Sequence, residues 1–182
     1  MKVKRNLIHT SDLFKDLGAT KIIKINPKDI IVSEWVRIKC MYGCPDYGDS
    51  FSCPPHSPDL DYIRRFFYGY SSALLFQFDL KMEDKEKRYE WSKNMNNKLL
   101  EIEREFFLKG NQKAWIFFVG CCKTCNDCAV DKEFCIIPEK RRATLESFGV
   151  DVFGTVKKYG IHLEVRTSKD QPYKYFTVLL LK

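Results

Sequence analysis

Five of the eight cysteines in this 182-residue chain lie within eighteen consecutive residues, and this clustering constrains the fold more than any other feature. Cys122, Cys125 and Cys128 are three positions apart, and Cys135 follows after six intervening residues. Three thiolates at this spacing cannot easily all bind one small tetrahedral ion. Each can bind a different iron of a cubane, because the loop can wrap one corner of an object several ångströms wide. The run from Cys121 to Pro138 therefore predicts a metal–thiolate site.

The order of these cysteines favours an iron–sulfur cluster over zinc. Bacterial ferredoxins bind [4Fe-4S] clusters through a C-x2-C-x2-C-x3-C-P run, which shares the first three cysteines, although here the last gap is longer and the proline is Pro138. Zinc sites usually contain two separated C-x2-C pairs. Polar residues lie between the cysteines, which argues against an ordinary hydrophobic core; they are Lys123, Thr124, Asn126 and Asp127. We predict a [4Fe-4S] cluster, with zinc as the alternative, at Cys122, Cys125, Cys128 and Cys135.

A second cysteine-rich loop, residues 40–56, precedes this run. It contains Cys40, Cys44 and Cys53 among two glycines and three prolines, so we expect turns rather than regular structure. Three ligands leave one iron of a second cubane open, or they need a fourth ligand from Cys121 or His56. The alternatives are a single cluster with a structural turn here, or an exchange in which Cys53 or Cys135 serves the other loop's metal.

The remaining features of the chain limit its class. No apolar run resembles a signal peptide or is long enough to span a bilayer, so we predict a cytoplasmic protein without membrane contact. Thiols stay reduced in that compartment, and clustered cysteines there indicate metal or redox chemistry. The net charge is +7, but two four-thiolate sites would each contribute about −2. The excess of basic residues is therefore only weak evidence that the protein binds nucleic acid. The chain has neither a phosphate loop nor an H-E-x-x-H motif, and the catalytic residues stay unknown.

Hydrophobic periodicity predicts one α/β (or α+β) domain over residues 1–182, with a single mixed β-sheet and both cysteine-rich loops, 40–56 and 120–138, at one end of it. A long crossover helix over 82–109 connects two buried strands. The predicted strands are 21–25, 73–78 and 113–119, an extended segment over 31–39, and a hairpin of 161–166 with 173–181. The other predicted helices are 12–17, one capped by Ser57 and ending near Gly69, 139–148 and 152–159.

The two loops and the segment after them resemble a known family. The Cys-x3-Cys-Pro-x-Tyr-Gly…Cys-Pro-Pro loop, the C-x2-C-x2-C…C-x2-Pro-Glu loop and an Arg…Glu-x-x-Gly-Val-Asp-Val tail are similar to the uncharacterised predicted metal-binding protein family, domain of unknown function 2284. That family is common in anaerobic bacteria and archaea. The resemblance covers roughly residues 40–160, and Cys121 is additional to the pattern. The matching positions are Cys40, Cys44, Pro45, Tyr47, Gly48, Cys53, Pro54, Pro55, Gly120, Cys122, Cys125, Cys128, Cys135, Pro138, Glu139, Arg142, Glu146, Gly149 and Asp151.

The resemblance implies metal binding and, through its cysteine pattern, an iron–sulfur cofactor. Arg142 belongs to the pattern, so we expect it to face inward near the cofactor, with Glu146 as a possible i,i+4 partner. We expect Tyr47 to shield the cofactor from water. The resemblance implies no reaction.

The leading hypothesis is a cytoplasmic iron–sulfur protein that carries or gates electrons for a redox partner protein. The second is an enzyme or cluster-assembly factor that uses an open-site cluster at Cys40, Cys44 and Cys53. The third is a non-redox zinc module that contacts protein or nucleic acid. The sequence leaves the enzymatic activity and the oligomeric state open.

Overall fold

The computed structural model of the protein describes residues 17–131 and 133–182. Its sheet has the order β1-β2-β4-β3, and each neighbouring pair is antiparallel. The strands are β1 (Lys21–Ile25), β2 (Ser72–Leu80), β3 (Trp115–Ile116) and β4 (Tyr173–Leu181). Since β2 and β3 both run antiparallel to β4, they run in the same direction on its two sides. The predicted α/β fold with one sheet and a crossover connection is confirmed, but the sheet is antiparallel rather than mixed.

The two central strands are buried on both faces, because successive side chains of a strand point to opposite sides. Leu75 and Val178 belong to one core cluster, whereas Leu74 and Leu179 belong to the other. Each face therefore needs a helical layer. Four α-helices occur within the described residues: α1 (Glu34–Gly43), α2 (Leu60–Tyr68), α3 (Lys85–Leu108) and α4 (Val152–Lys157).

The long helix α3 covers one face of the sheet through a stripe of buried residues that recur every three or four positions. It begins at Lys85 rather than at residue 82, because the Asp84 carboxylate accepts a hydrogen bond from the Lys87 N–H at 3.0 Å and ends the extended segment before it. The helices α2 and α4 cover the other face through residues such as Ile63, Phe67 and Val156. None of the helices in the described part of the chain is long and apolar enough to cross a membrane.

Two predictions near the first cysteine loop are wrong. In the segment predicted as extended, Val32 forms an antiparallel bridge with Val150, but residues 34–39 are not extended, because α1 starts at Glu34 and continues through Gly43. The apolar residues Trp35, Val36 and Ile38 favour a strand by propensity. The segment is nevertheless a helix, which follows the extended residue Ser33 and buries the side chain of Val36. The next helix, α2, is capped by Asp59 rather than Ser57, since the Asp59 carboxylate accepts from Tyr62 N–H at 2.7 Å.

Three predictions in the second half of the chain are also wrong. The strand over 113–119 is limited to Trp115–Ile116, because Phe118 N–H leaves the sheet and donates to Ala143 O at 2.9 Å. The helix over 139–148 is replaced by two single 3₁₀ turns, Pro138–Lys140 and Glu146–Phe148. Residues 161–166 form no strand, and Arg166 instead donates to Gln171 O. The helix over 152–159 is confirmed as α4, whereas the helix over 12–17 lies almost entirely outside the described residues.

Phe67 and Tyr68 are adjacent on α2 and test how strongly the core packing stabilises this fold. Phe67 is 2% exposed and stacks on Phe117, whereas Tyr68 is 59% exposed. We expect Phe67→Ala to lower the free energy of unfolding by about 3–5 kcal/mol, because it leaves a cavity in the core. Tyr68→Ala should change it by no more than about 0.5 kcal/mol. Denaturant unfolding of both variants at equal metal content measures the difference, and similar losses in both would contradict this packing.

Candidate metal centre

The helix α1 positions the first two cysteines of the 40–56 loop. Cys40 and Cys44 are four residues apart at the end of α1, where i and i+4 side chains share one face. Cys53 follows in a series of tight turns, in which its N–H donates to Ser50 O and its carbonyl accepts from His56 N–H, both at 2.9 Å. The predicted turn structure is therefore correct after Cys44 but not before it.

Cys121 lies against this first group of cysteines, although it belongs to the other loop in sequence. Its sulfur is 3.8 Å from the sulfur of Cys53. The side chain of Asn96 on α3 holds the chain just before it, because its Oδ1 accepts from Val119 N–H at 2.9 Å and its Nδ2 donates to Cys121 O at 3.4 Å. Gly120, between these anchors, has a φ of +76°, which other residues rarely adopt.

The eight cysteines line two neighbouring cavities. The first has a volume of about 250 Å³ and is lined by Cys40, Cys44, Cys53 and Cys121. The second has a volume of about 320 Å³ and is lined by the cysteines of the second loop, Cys121, Cys122, Cys125, Cys128 and Cys135. Cys121 borders both cavities, but its sulfur contacts Cys53. We call Cys40, Cys44, Cys53 and Cys121 the first set, and Cys122, Cys125, Cys128 and Cys135 the second set.

The thiols within each set influence one another electrostatically. A hydrogen bond from Cys53 lowers the pKa of Cys121 to about 7, and the same contact raises the pKa of Cys53. Burial, followed by repulsion from Cys44, raises the pKa of Cys40. In the second set, burial raises the pKa of Cys125, and repulsion from its three partners adds to the effect. Each set thus resists carrying four thiolates at once, and a bound cation would remove that resistance.

Other residues complete the walls of the first cavity. Tyr47 and Tyr175 line it, which is consistent with the predicted role of Tyr47 in shielding this space from water. Glu146 also lines it. His56 lies elsewhere, with its ring 5.1 Å from that of Phe51, and it lines neither cysteine cavity. Of the two candidates for a fourth ligand, the structure thus brings Cys121 and not His56 to the first set.

Arg142 faces inward, but it lines neither cysteine cavity, and its partner is Glu103 on α3 rather than Glu146. Its Nε donates to Glu103 Oε2 at 2.9 Å, and a second bond joins Nη2 to Oε1. The same Glu103 Oε2 accepts from Ile116 N–H at 2.7 Å. The i,i+4 geometry predicted for Glu146 does not form, because residues 141–144 are not helical. Arg142 therefore ties the segment after the second cysteine loop to α3 and β3.

The supporting polar residues on α3 were not identified from the sequence. Ser92, Asn96 and Glu103 are buried on the core-facing side of this helix. Ser92 Oγ accepts from Lys123 Nζ at 2.9 Å, and Lys123 also lies over the ring of Tyr89. The sequence contained one signal for these residues: they are spaced four and seven positions apart, within the apolar stripe of α3. A polar residue on a buried helix face needs a hydrogen-bond partner, so it indicates a contact with another part of the chain.

No group of three or more His, Cys, Asp or Glu side chains within residues 17–131 and 133–182 is arranged to hold a metal ion. Two neighbouring cavities lined by eight free cysteines are nevertheless the arrangement expected of a thiolate-rich metal-binding protein. The chain matches the family described as predicted metal-binding protein (DUF2284) over residues 23–181, and it belongs to that family. The resemblance noted over residues 40–160 is thus confirmed. No curated protein and no solved structure matches the chain.

Glu103 and Glu105 provide a matched test of the buried ion pair. The Glu103 side chain is 11% exposed and paired with Arg142, whereas that of Glu105 is 48% exposed and paired with Lys109 at 3.1 Å. Glu103→Gln should lower the free energy of unfolding by about 3 kcal/mol, because it leaves the Arg142 charge buried without a counter-ion. Glu105→Gln should cost at most about 1 kcal/mol. Equal effects in chemical denaturation would rule out a special role for Glu103.

Proposed function

We propose that the protein is an iron–sulfur protein that binds two [4Fe-4S] clusters, one in each set of cysteines, and exchanges electrons with a partner protein. The observation that carries this proposal is that eight cysteines line two cavities, and that Cys121, which borders both, contacts Cys53 and so completes a set of four beside each cavity. Four thiolates are the complete ligand set of one cubane. With Cys121 as its fourth thiolate, the first set no longer needs an open iron, which weakens the alternative of an open-site enzyme or assembly factor.

The spacing of the second set supports a cluster rather than one ion. In a tetrahedral zinc site with Zn–S bonds of about 2.3 Å, the four sulfurs lie about 3.8 Å apart and nearly touch. Cys122, Cys125, Cys128 and Cys135 all line one cavity of about 320 Å³, together with residues of the first loop and of α3. A cubane fills such a space because each thiolate binds a different iron. When bound, such a cluster supplies one-electron chemistry at a potential set by the surrounding charges, hydrogen bonds and solvent exposure.

Zinc at the first set is the second candidate, and one distance favours it. The 3.8 Å between the sulfurs of Cys53 and Cys121 is close to the separation of two thiolates on one zinc ion. In that case the protein would bind zinc in the first set and an iron–sulfur cluster in the second, and we call this form the mixed protein.

The residues of the chain have separate tasks in the proposed function. Tyr47 and Tyr175 cover the first cavity, and Lys123 places positive charge beside the second. Positive groups near a cluster compensate its net negative charge and raise its potential. The cytoplasm suits this role, because eight free thiols persist in a reducing compartment.

The exposed residues beside the cysteines support exchange with a redox partner. Phe134 and Ile136 flank Cys135 and are 68% and 52% exposed. Tyr42, between Cys40 and Cys44, is 81% exposed. Exposed apolar residues next to a redox centre bring it close to a docked protein.

Metal and sulfide analysis of anaerobically purified protein tests the proposal directly. We expect a brown protein with about eight irons and eight sulfides per chain, and visible absorption that bleaches with dithionite. About four of each, with one zinc, would identify the mixed protein. A colourless protein with zinc alone would refute the iron–sulfur function.

The adjacent residues Cys121 and Cys122 test the division into two sets. Each of Cys121→Ser and Cys122→Ser should lower iron and sulfide by about half, because each removes a ligand from one cluster. In the Cys121→Ser background, a further Cys40→Ser change should have no added effect, whereas a further Cys125→Ser change should remove most of the remaining iron. The reverse pattern would place Cys121 in the second set.

A further inference from the structure

A third cavity lies beside the cysteine-rich loops and contains none of the eight cysteines. Its volume is about 520 Å³, which is within the range of small-molecule sites and larger than that of either cysteine cavity. It is bounded by residues 56–58, by α2 and by the segment 138–143 that follows the second cysteine loop. Its position and size make it a candidate ligand site that the metal-binding role leaves unused.

Aromatic rings form much of the wall of this cavity. Phe66 meets Trp115 and Phe148 edge to face, with ring centroids 6.0 and 6.1 Å apart. Phe51 and His56 contribute a further pair of rings. Flat rings in a fixed arrangement suit a flat apolar ligand, because aromatic groups stack or meet edge to face.

One cation at this cavity is free to bind a ligand. Arg141 lines the cavity and is exposed, and its guanidinium forms no ion pair with any residue in the described parts of the chain. Arg142 also lines the cavity, but Glu103 already neutralises it. Glu139 is the acidic residue in the wall, where its backbone carbonyl accepts from Arg142. Arg141 is therefore the group suited to a carboxylate, which a guanidinium binds through two parallel hydrogen bonds.

Two polar atoms in the wall also favour a ligand that carries oxygen atoms. Trp115 Nε1 and Ser57 Oγ are buried and have no hydrogen-bond partner among the residues that the structure describes. A buried donor without a partner is costly, and native proteins contain few of them. A ligand oxygen placed against this wall, after a small side-chain movement, would remove that cost.

We propose that this cavity binds a small planar aromatic carboxylate, with the ring among Phe66, Trp115 and Phe148 and the carboxylate on Arg141. Phe51, Ser52 and Arg141 line both this cavity and that of the second set of cysteines. The ligand therefore lies one layer of side chains from the metal site. Binding of the ligand requires only the residues that line this cavity. The proposal therefore does not depend on whether the metal is iron or zinc.

Binding of three probes to the full-length, metal-loaded protein tests this site. Benzoate, cinnamate and 2-naphthoate are titrated by calorimetry, together with the neutral amide of each. We expect at least one carboxylate to bind with one site per chain, and its amide to bind about tenfold more weakly, because the charge-assisted hydrogen bonds are lost. If none binds at concentrations up to about 10 mM, the proposal is overturned.

Two pairs of variants locate the site. Arg141→Gln should weaken binding of the carboxylate about tenfold, whereas Lys140→Gln, at the adjacent exposed cation outside the cavity, should leave it unchanged. Trp115→Phe, which keeps a ring but removes the N–H, should weaken it about fivefold, and Trp35→Phe on α1 should not. Ser57→Ala replaces Trp115→Phe if that variant fails to fold. Equal affinities within either pair would overturn the proposal.

Discussion

The side chains of Asn96 and Glu103 on α3 hold the chain where it leaves the sheet, and both cysteine sets depend on that attachment. Glu103 accepts from Ile116 N–H and pairs with Arg142, and Asn96 bonds to both sides of Gly120. These are buried polar contacts, so no water competes for them, and losing one partner would leave the other unsatisfied. The end of β3 and the start of the second loop are therefore fixed to the same helix. Cys121 reaches Cys53 because of this fixed exit.

Electrostatics explains why the two sets can lie so close. Eight thiolates in adjacent cavities would repel one another, and burial, followed by repulsion from cysteines of the same set, raises the pKa of Cys40 and of Cys125. The chain carries a net charge of +7 with its thiols counted as neutral, so the surrounding protein can compensate two anionic sites. If the proposed clusters are bound, they account for the excess of basic residues without a polyanion partner.

The sequence predicted the elements that are strongly apolar and periodic. β1, β2, β4 and α3 follow from local patterns, and the cysteine spacing identified the family. It did not predict α1, whose Trp, Val and Ile residues have strand propensity, or the pairing of Cys53 with Cys121 across 68 positions. The Arg142–Glu103 pair spans 39 positions and was missed for the same reason. Such contacts are set by how the layers pack, and a single sequence contains no direct record of them.

The short distance between Cys53 and Cys121 also bears on how the protein must mature. The contact with Cys53 lowers the pKa of Cys121 to about 7, so the Cys121 sulfur is the one that a two-electron oxidant would oxidise first, and the Cys53 sulfur that would then attack it is 3.8 Å away. A disulfide needs the two sulfurs to approach to about 2.0 Å, so a small movement in the presence of an oxidant would join them. That disulfide would remove two thiols of the first set as metal ligands and leave the four thiols of the second set unchanged. If the first set binds metal, oxidation of this pair would compete with metal binding, and a reductant would be needed to recover the oxidised chains.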